Sequence, residues 1–257
     1  MISFPKAKST TLSLAIALPI FLSGASAVFA YRLVGRVEHS ETLKPISQEE
    51  EIGKIFEASA LYKQMLARKN GPTVKYMIPS WLAGVWMRQQ MTETSRIQLP
   101  SGARLKPAGS QTAKVRDQFG SYRDAHGQIW QVFEPSHGFG IIDKGDSLDY
   151  HAVGNYEIVT MGLKMVAVEV QACHAVVNKK TKKLTSSYQD EELNTYAEVS
   201  DSFLRTDSSV KVFDTRGKPL LLTRSTSTEN KIAPFTPTMA GPPKPTRQAA
   251  FGNPRSK

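Results

Sequence analysis

The residues of this chain whose types could do chemistry are Cys173, the histidines His126, His137, His151 and His174, and the acids Asp143, Asp146 and Asp149. The histidines are spread without the spacing of a metal site, and the three aspartates lack the pattern of an EF-hand loop. Cys173 and His174 are adjacent. Neighbours on a strand point to opposite faces, which disfavours a Cys–His catalytic pair. His174 shares its parity with Val170, Ala172 and Val176. It reads either as a hydrogen-bonded core residue or as a ligand contact. No G-x-S-x-G motif and no glycine-rich phosphate loop is present. No acid, base and nucleophile can be nominated to meet, so the expectation is a non-enzymatic protein with no catalytic residue, no metal and no cofactor.

The elements that must position these residues are mostly strands. Along 85–99 the odd positions carry Val85, Met87, Met91, Ile97 and Leu99, and the even ones Arg88, Gln90, Thr92, Thr94, Arg96 and Gln98. That is the period-two pattern of a strand with one apolar face. Trp86 falls on the polar parity, so an inward Trp86 requires a polar interior or a bulge. A loop through Pro100–Gly109 follows. Phe119–Tyr122 and Ile129–Phe133 flank a turn at Asp124–Gly127, where Gly127 supplies positive φ. Residues 134–147 read as loop. Strand candidates follow at Tyr156–Met161, Leu163–Val177, Leu184–Tyr188, Tyr196–Phe203, Val210–Phe213 and Leu220–Ser227, with Asn178–Lys183 as a basic turn. Seven to nine strands with no interleaved helices predict an all-β, mainly antiparallel domain over 80–232, closed as a barrel or stacked as a sandwich.

The lead-in is different in kind. Residues 1–30 have a basic start at Lys6 and Lys8, an uncharged apolar run and the small-residue patterns Ala25-Ser26-Ala27 and Val28-Phe29-Ala30. This is the composition of a secretory signal peptide, or of an anchor if it is retained, and it places the rest outside the cytoplasm, periplasmic or secreted. In the 31–79 lead-in, Ser47-Gln48-Glu49-Glu50 has capping-box spacing, and Ile52, Ile55, Phe56, Tyr62, Met65 and Leu66 fall on one helical face, predicting an amphipathic helix over about 48–69. From Ala233 the chain holds six prolines in 25 residues, four basic residues and no acid, the composition of a flexible basic tail. The net charge of +10 favours acidic partners. Its bases are scattered, so nucleic acid is not the expected one. A single cysteine excludes an intrachain disulfide.

Gly84-Val85-Trp86 on the first long strand resembles the G-x-W signature of the lipocalin (calycin) family. The resemblance implies an eight-stranded barrel whose Trp86 packs at the closed end, with Gly84 beside it and a basic residue of the last strand over the indole. Arg224 is placed for that role, and a cation over an indole is worth about 0.5–2 kcal/mol. Gly145-Asp146-Ser147-Leu148 also spells the opening of the GDSL hydrolase motif, but no D-x-x-H follows and no helices alternate with the strands, so a turn is expected there. Two functions follow from these readings. One is a carrier of a small, largely apolar ligand, with Trp130, Tyr122, Tyr156 and His174 as lining residues. The other is a cell-envelope assembly protein that recruits an envelope protein or an anionic surface through the 48–69 helix and the basic tail.

Overall fold

Twelve strands in chain order build two sheets in the computed structural model, which describes residues 38–45, 52–56, 73–134 and 138–241. Strands β1 (Val74–Ile78), β5 (Tyr122–Arg123) and β6 (Ile129–Phe133) form a small sheet in the order β1-β6-β5. The large sheet contains β2 (Gly84–Gln98), β3 (Arg104–Leu105), β4 (Gly109–Phe119), β7 (Phe139–Asp143), β8 (Ser147–Met161), β9 (Met165–Asn178), β10 (Leu184–Ser200), β11 (Phe203–Phe213) and β12 (Pro219–Ala233). From β7 to β12 it is an up-and-down meander; β12 then returns to β2, and β4 pairs along the other edge of β2. Every ladder is antiparallel. The expected all-β antiparallel domain is therefore present.

The large sheet is curled. Phe119 on β4 and Tyr196 on β10 meet edge to face with ring centroids 4.9 Å apart, although β2, β12 and β11 lie between their strands. Four steps across a flat sheet would separate them by about 19 Å. The face that carries both rings is thus the inside of a half-barrel. Among the described strands no ladder joins β4 to β7, so the curl stays open. The small sheet fills one end of it. Ile78 and Ile129 from the small sheet pack with Trp86, Phe119, Val166, Val168, Tyr196 and Leu204 from the large one.

Bulges settle the parity conflict of Trp86. On the β2 side, register shifts fall at Ser95/Glu93 and Met91/Arg88 in the ladder with β12 and at Arg88/Gln90 in the ladder with β4. Trp86 and Arg88 therefore point inward, and beyond the first bulge Met91 and Glu93 take over the inner face, opposite Ser227 and Ser225. A bulge adds one residue and reverses the alternation. The interior is polar as well as bulged.

Several expectations need correction. Within the expected helix 48–69, residues 52–56 form a turn and an isolated bridge: Gly53 has φ +90°, its N–H donates to Leu184 O, and Ile55 bridges to Lys183. Positive φ breaks a right-handed helix, and Phe56 instead packs on the outer face with Ala175, Val177 and Leu184. The rest of that helix, like the leader, lies outside the described residues. The stretch expected as tail is held on the fold from Ala233 to Met239, because Phe235 packs against the inner core and the Thr238 and Met239 N–H groups donate to Ser121 O; residues 242–257 lie outside the described residues. Residues 134–147 contain β7, and Tyr196–Phe203 spans the tight turn between β10 and β11. Gly145-Asp146-Ser147-Leu148 runs from a turn into β8, with Lys144 N–H donating to Ser147 O.

Residues 38–45 form a strap across the outer face. Glu191, 1% exposed, accepts from His39 Nδ1 (2.9 Å), Ser40 N–H (2.7 Å) and Ser40 Oγ (2.6 Å). Lys211 Nζ donates to Ser40 O and Gln189 Nε2 to Lys44 O, so the strap is held along its backbone. Burial would raise the Glu191 carboxyl, but His39 and Ser40 outweigh it and hold it at about 2.

Candidate functional site

Alternation along the inner face places a row of ionisable groups where a barrel interior would ordinarily be apolar. On β12 the inward positions are Ser227, Glu229 and Lys231; on β11 they are Leu204, Thr206 and Ser208; on β10, Tyr188, Asp190, Glu192, Asn194 and Tyr196. Beyond the apolar end these side chains form a seam with two charged centres.

The first centre joins β2, β4, β11 and β12. Arg88 donates to Glu229 Oε1 through Nη2 (2.9 Å) and Nε (3.2 Å), and lies 3.4 Å from Asp117 Oδ2. Thr206 Oγ1 donates to the same Glu229 oxygen at 2.7 Å. Glu229 is fully buried, and its Oε2 has no hydrogen-bond partner among the described residues. Burial opposes the Arg88 charge, but Glu229 and Asp117 more than offset it and raise its pKa. Asp117 keeps 27% of its side chain exposed. Burial and then the Glu229 charge push its carboxyl up to about 6. Glu192 is likewise raised, by burial and then by Asp190, and Asn194 Nδ2 donates to it at 3.0 Å. Three carboxyl groups thus share one guanidinium, and two of them resist ionisation.

The second centre is built on His174. Its Nδ1 lies 3.0 Å from Asp149 Oδ1, and its Nε2 lies 3.0 Å from Asp190 Oδ2 without hydrogen-bond alignment. Burial favours the neutral imidazole, but the two aspartates outweigh it and lift His174 to about 9. Asp149 also accepts from Tyr188 OH (3.0 Å) and pairs with Lys144 (2.6 Å). Burial would raise it, yet His174 and Lys144 bring it down to about 2. The Tyr188 ring stacks on His174 at 4.4 Å and His151 lies 5.8 Å away. His151 is depressed by burial and then by the His174 charge. Its ring lies against Gly140, where any side chain would overlap the imidazole. Ser187 Oγ donates to the His174 backbone O, not to the ring. The imidazolium therefore balances two buried carboxylates, and among the described residues no hydroxyl is hydrogen-bonded to its ring.

The chain matches no family model, no curated protein and no solved structure.

The four lining residues read from the sequence are not brought together. Tyr122 and Trp130 stack on the small sheet with centroids 6.3 Å apart, and Trp130 Nε1 donates to Asp124 Oδ2. Tyr156 stacks on Phe133 at the junction of the sheets, and its backbone O accepts from Tyr76 OH. These three hold the small sheet in place, while His174 sits in the polar seam. Trp86 is fully buried and donates through Nε1 to Leu82 O. Its cation is Lys231, with Nζ 4.6 Å from the ring centroid. Arg224 is exposed and pairs with Ser95, far along the strand from Trp86, and its even parity on β12 turns it outward. Gly84 has φ +139°, and a Cβ there would sit 2.9 Å from Ala233 O, so glycine is what lets the end of β12 close over the indole. Arg88, Asp117, Glu192 and Glu229 belong to no motif of the sequence. Their one sequence signal is that Arg88 shares parity with Trp86.

Proposed function

We propose that the protein is an exported, non-enzymatic binding protein that holds a small cationic, hydrogen-bonding ligand on the inner face of its curled sheet. The observation that carries this reading is Glu229, wholly buried with one oxygen unanswered among the described residues, close to Asp117, which in turn feels Glu192. An ammonium beside these carboxyl groups would offset the burial and the neighbouring negative charge that together keep Asp117 and Glu192 from ionising. An apolar ligand, the expectation from sequence, would strip water from the same carboxyl groups and return no hydrogen bond, at a cost of several kcal/mol. The apolar end of the curl is already filled by Ile78, Ile129 and Phe235. The lipocalin-like arrangement of Gly84, Trp86 and Lys231 supports a carrier reading, and the leader composition of residues 1–30 supports export.

Thermal shift and calorimetry with putrescine, spermidine and agmatine at pH 8 test it. At least one is expected to bind, and Asp117→Asn with Glu192→Gln is expected to weaken it by tenfold or more. If none binds, or the double variant binds equally well, the reading is wrong; binding of long-chain alcohols in their place would restore the apolar carrier.

A further inference from the structure

The outer face carries a cavity that the inner seam does not reach. It is an open trough of about 920 Å³ running across the strands from Leu99 beside β2 to Val159 on β8, floored by Ala167, Leu193 and Leu222. Glu38 and His39, at the start of the strap, form one wall. Five strand-to-strand steps make it about 24 Å wide, the span of about seven extended residues. The strap shows that this face accepts extended polypeptide laid across the strands, through the bonds of Glu191, Lys211 and Gln189 to its backbone.

The trough is lined by three cations, Arg205, Lys211 and Arg224, against two carboxylates, Glu38 and Asp207, a formal excess of one positive charge. Arg205 is paired with Asp207 at 3.0 Å. Arg224 has no carboxylate partner among the described residues, and the described polar contact of Lys211 Nζ is a backbone carbonyl. Ser209 pairs with Arg224 and Lys211 with Leu222, which puts the two cations on the same face in diagonal positions, within reach of one carboxylate. The chain's own 31–37 contains Arg32 and Arg36 and no acid, so its charge is wrong for this pair.

We infer that the trough docks an extended acidic peptide segment of a partner protein, lying in line with the strap and anchored through a carboxylate by Arg224 and Lys211. The full chain is titrated with a fluorescein-labelled decamer of alternating Glu and Val, and with its Lys/Val counterpart. The acidic decamer is expected to bind, more weakly as salt rises. Arg224→Glu is expected to weaken it by tenfold or more, Lys211→Glu comparably, and Asp117→Asn not at all. Arg224 is exposed, so its variant keeps the native circular dichroism. The inference is overturned if the acidic decamer does not bind, if the basic one binds as well, or if Arg224→Glu leaves binding unchanged. It also fails if sedimentation shows a dimer that Arg224→Glu dissociates, since a second copy then fills the trough.

Discussion

His174 is held as an imidazolium by Asp149 and Asp190, with its pKa lifted to about 9 in the fold against about 6.5 in an unfolded chain. Between these values the folded state binds the extra proton. Its contribution is therefore fully present below pH 6.5 and is lost as pH rises towards 9. The urea midpoint should fall across that window by the equivalent of about 2–3 kcal/mol, and His174→Gln should flatten the fall. A midpoint independent of pH from 6.5 to 9 in the parent protein would contradict the buried ion triad. Asp117 runs against the usual carboxylate rule. Its folded pKa of about 6 lies above the unfolded value, so its contribution is present at low pH and lost as pH rises from about 4 to 6. Asp117→Asn should then stabilise the protein at pH 7.5 by about 1–2 kcal/mol, read as a higher urea midpoint. Arg88→Met leaves Glu229 buried with only Thr206, and a loss of about 3–5 kcal/mol is expected in the same assay.

Strand β10 shows why some elements were legible from sequence and others were not. Its ends, Leu184–Tyr188 and the stretch from Tyr196, alternate visibly, but Gln189–Asn194 is so polar that it reads as a break. The strand is continuous because each acid is matched: Glu191 faces outward under the strap, and Asp190 and Glu192 face the inner seam. The partners of Glu191 and Asp190 come from residues 39, 40 and 174, and single-strand periodicity carries no information about them. The same limit applied to Trp86. Its glycine neighbour and the need for a bulge or a polar interior were readable, whereas the choice of Lys231 over Arg224 depended on the register of β12 against β2. The antiparallel all-β class was readable because it rests on local alternation; the curl and the seam rest on long-range pairing. The strap should behave as an element in its own right. His39→Ala combined with Ser40→Ala removes two of the three described hydrogen bonds that Glu191 accepts from the strap, and the Ser40 N–H bond remains. A loss of about 2–4 kcal/mol is expected, with faster amide exchange confined to 38–45 and its neighbours on β10 and β11. Unchanged exchange there would mean that the strap is held by its backbone bonds alone.

At the scale of the molecule, the two sheets are threaded through each other in sequence. Strand β1 precedes the first long strand of the curl, while β5 and β6 fall between β4 and β7, so the chain leaves the small sheet, builds part of the large one and returns. The small sheet buries Ile78 and Ile129 only against Trp86 and its neighbours, and a three-stranded sheet of two- and five-residue strands has little apolar surface of its own. It should therefore neither form before the curl nor survive its loss. The curl in turn needs the small sheet to cover Trp86, Phe119 and Leu204. One cooperative transition is the consequence, and the tryptophans report it from both sides: Trp81 and Trp86 in the core and Trp130 on the small sheet. Urea unfolding followed by far-ultraviolet circular dichroism, by total tryptophan fluorescence and by the fluorescence lost in Trp130→Phe should give coincident curves. An earlier midpoint for the Trp130 signal would show that the small sheet detaches as a unit of its own. The pairing of β12 with β2, which joins Leu221 to Gln98 across the whole meander, also predicts slow refolding, on the millisecond-to-second scale of β proteins rich in non-local contacts. Trp86→Phe, which keeps an aromatic ring but loses the bond to Leu82 O and weakens the seat of Lys231, should lower the common midpoint for every probe together.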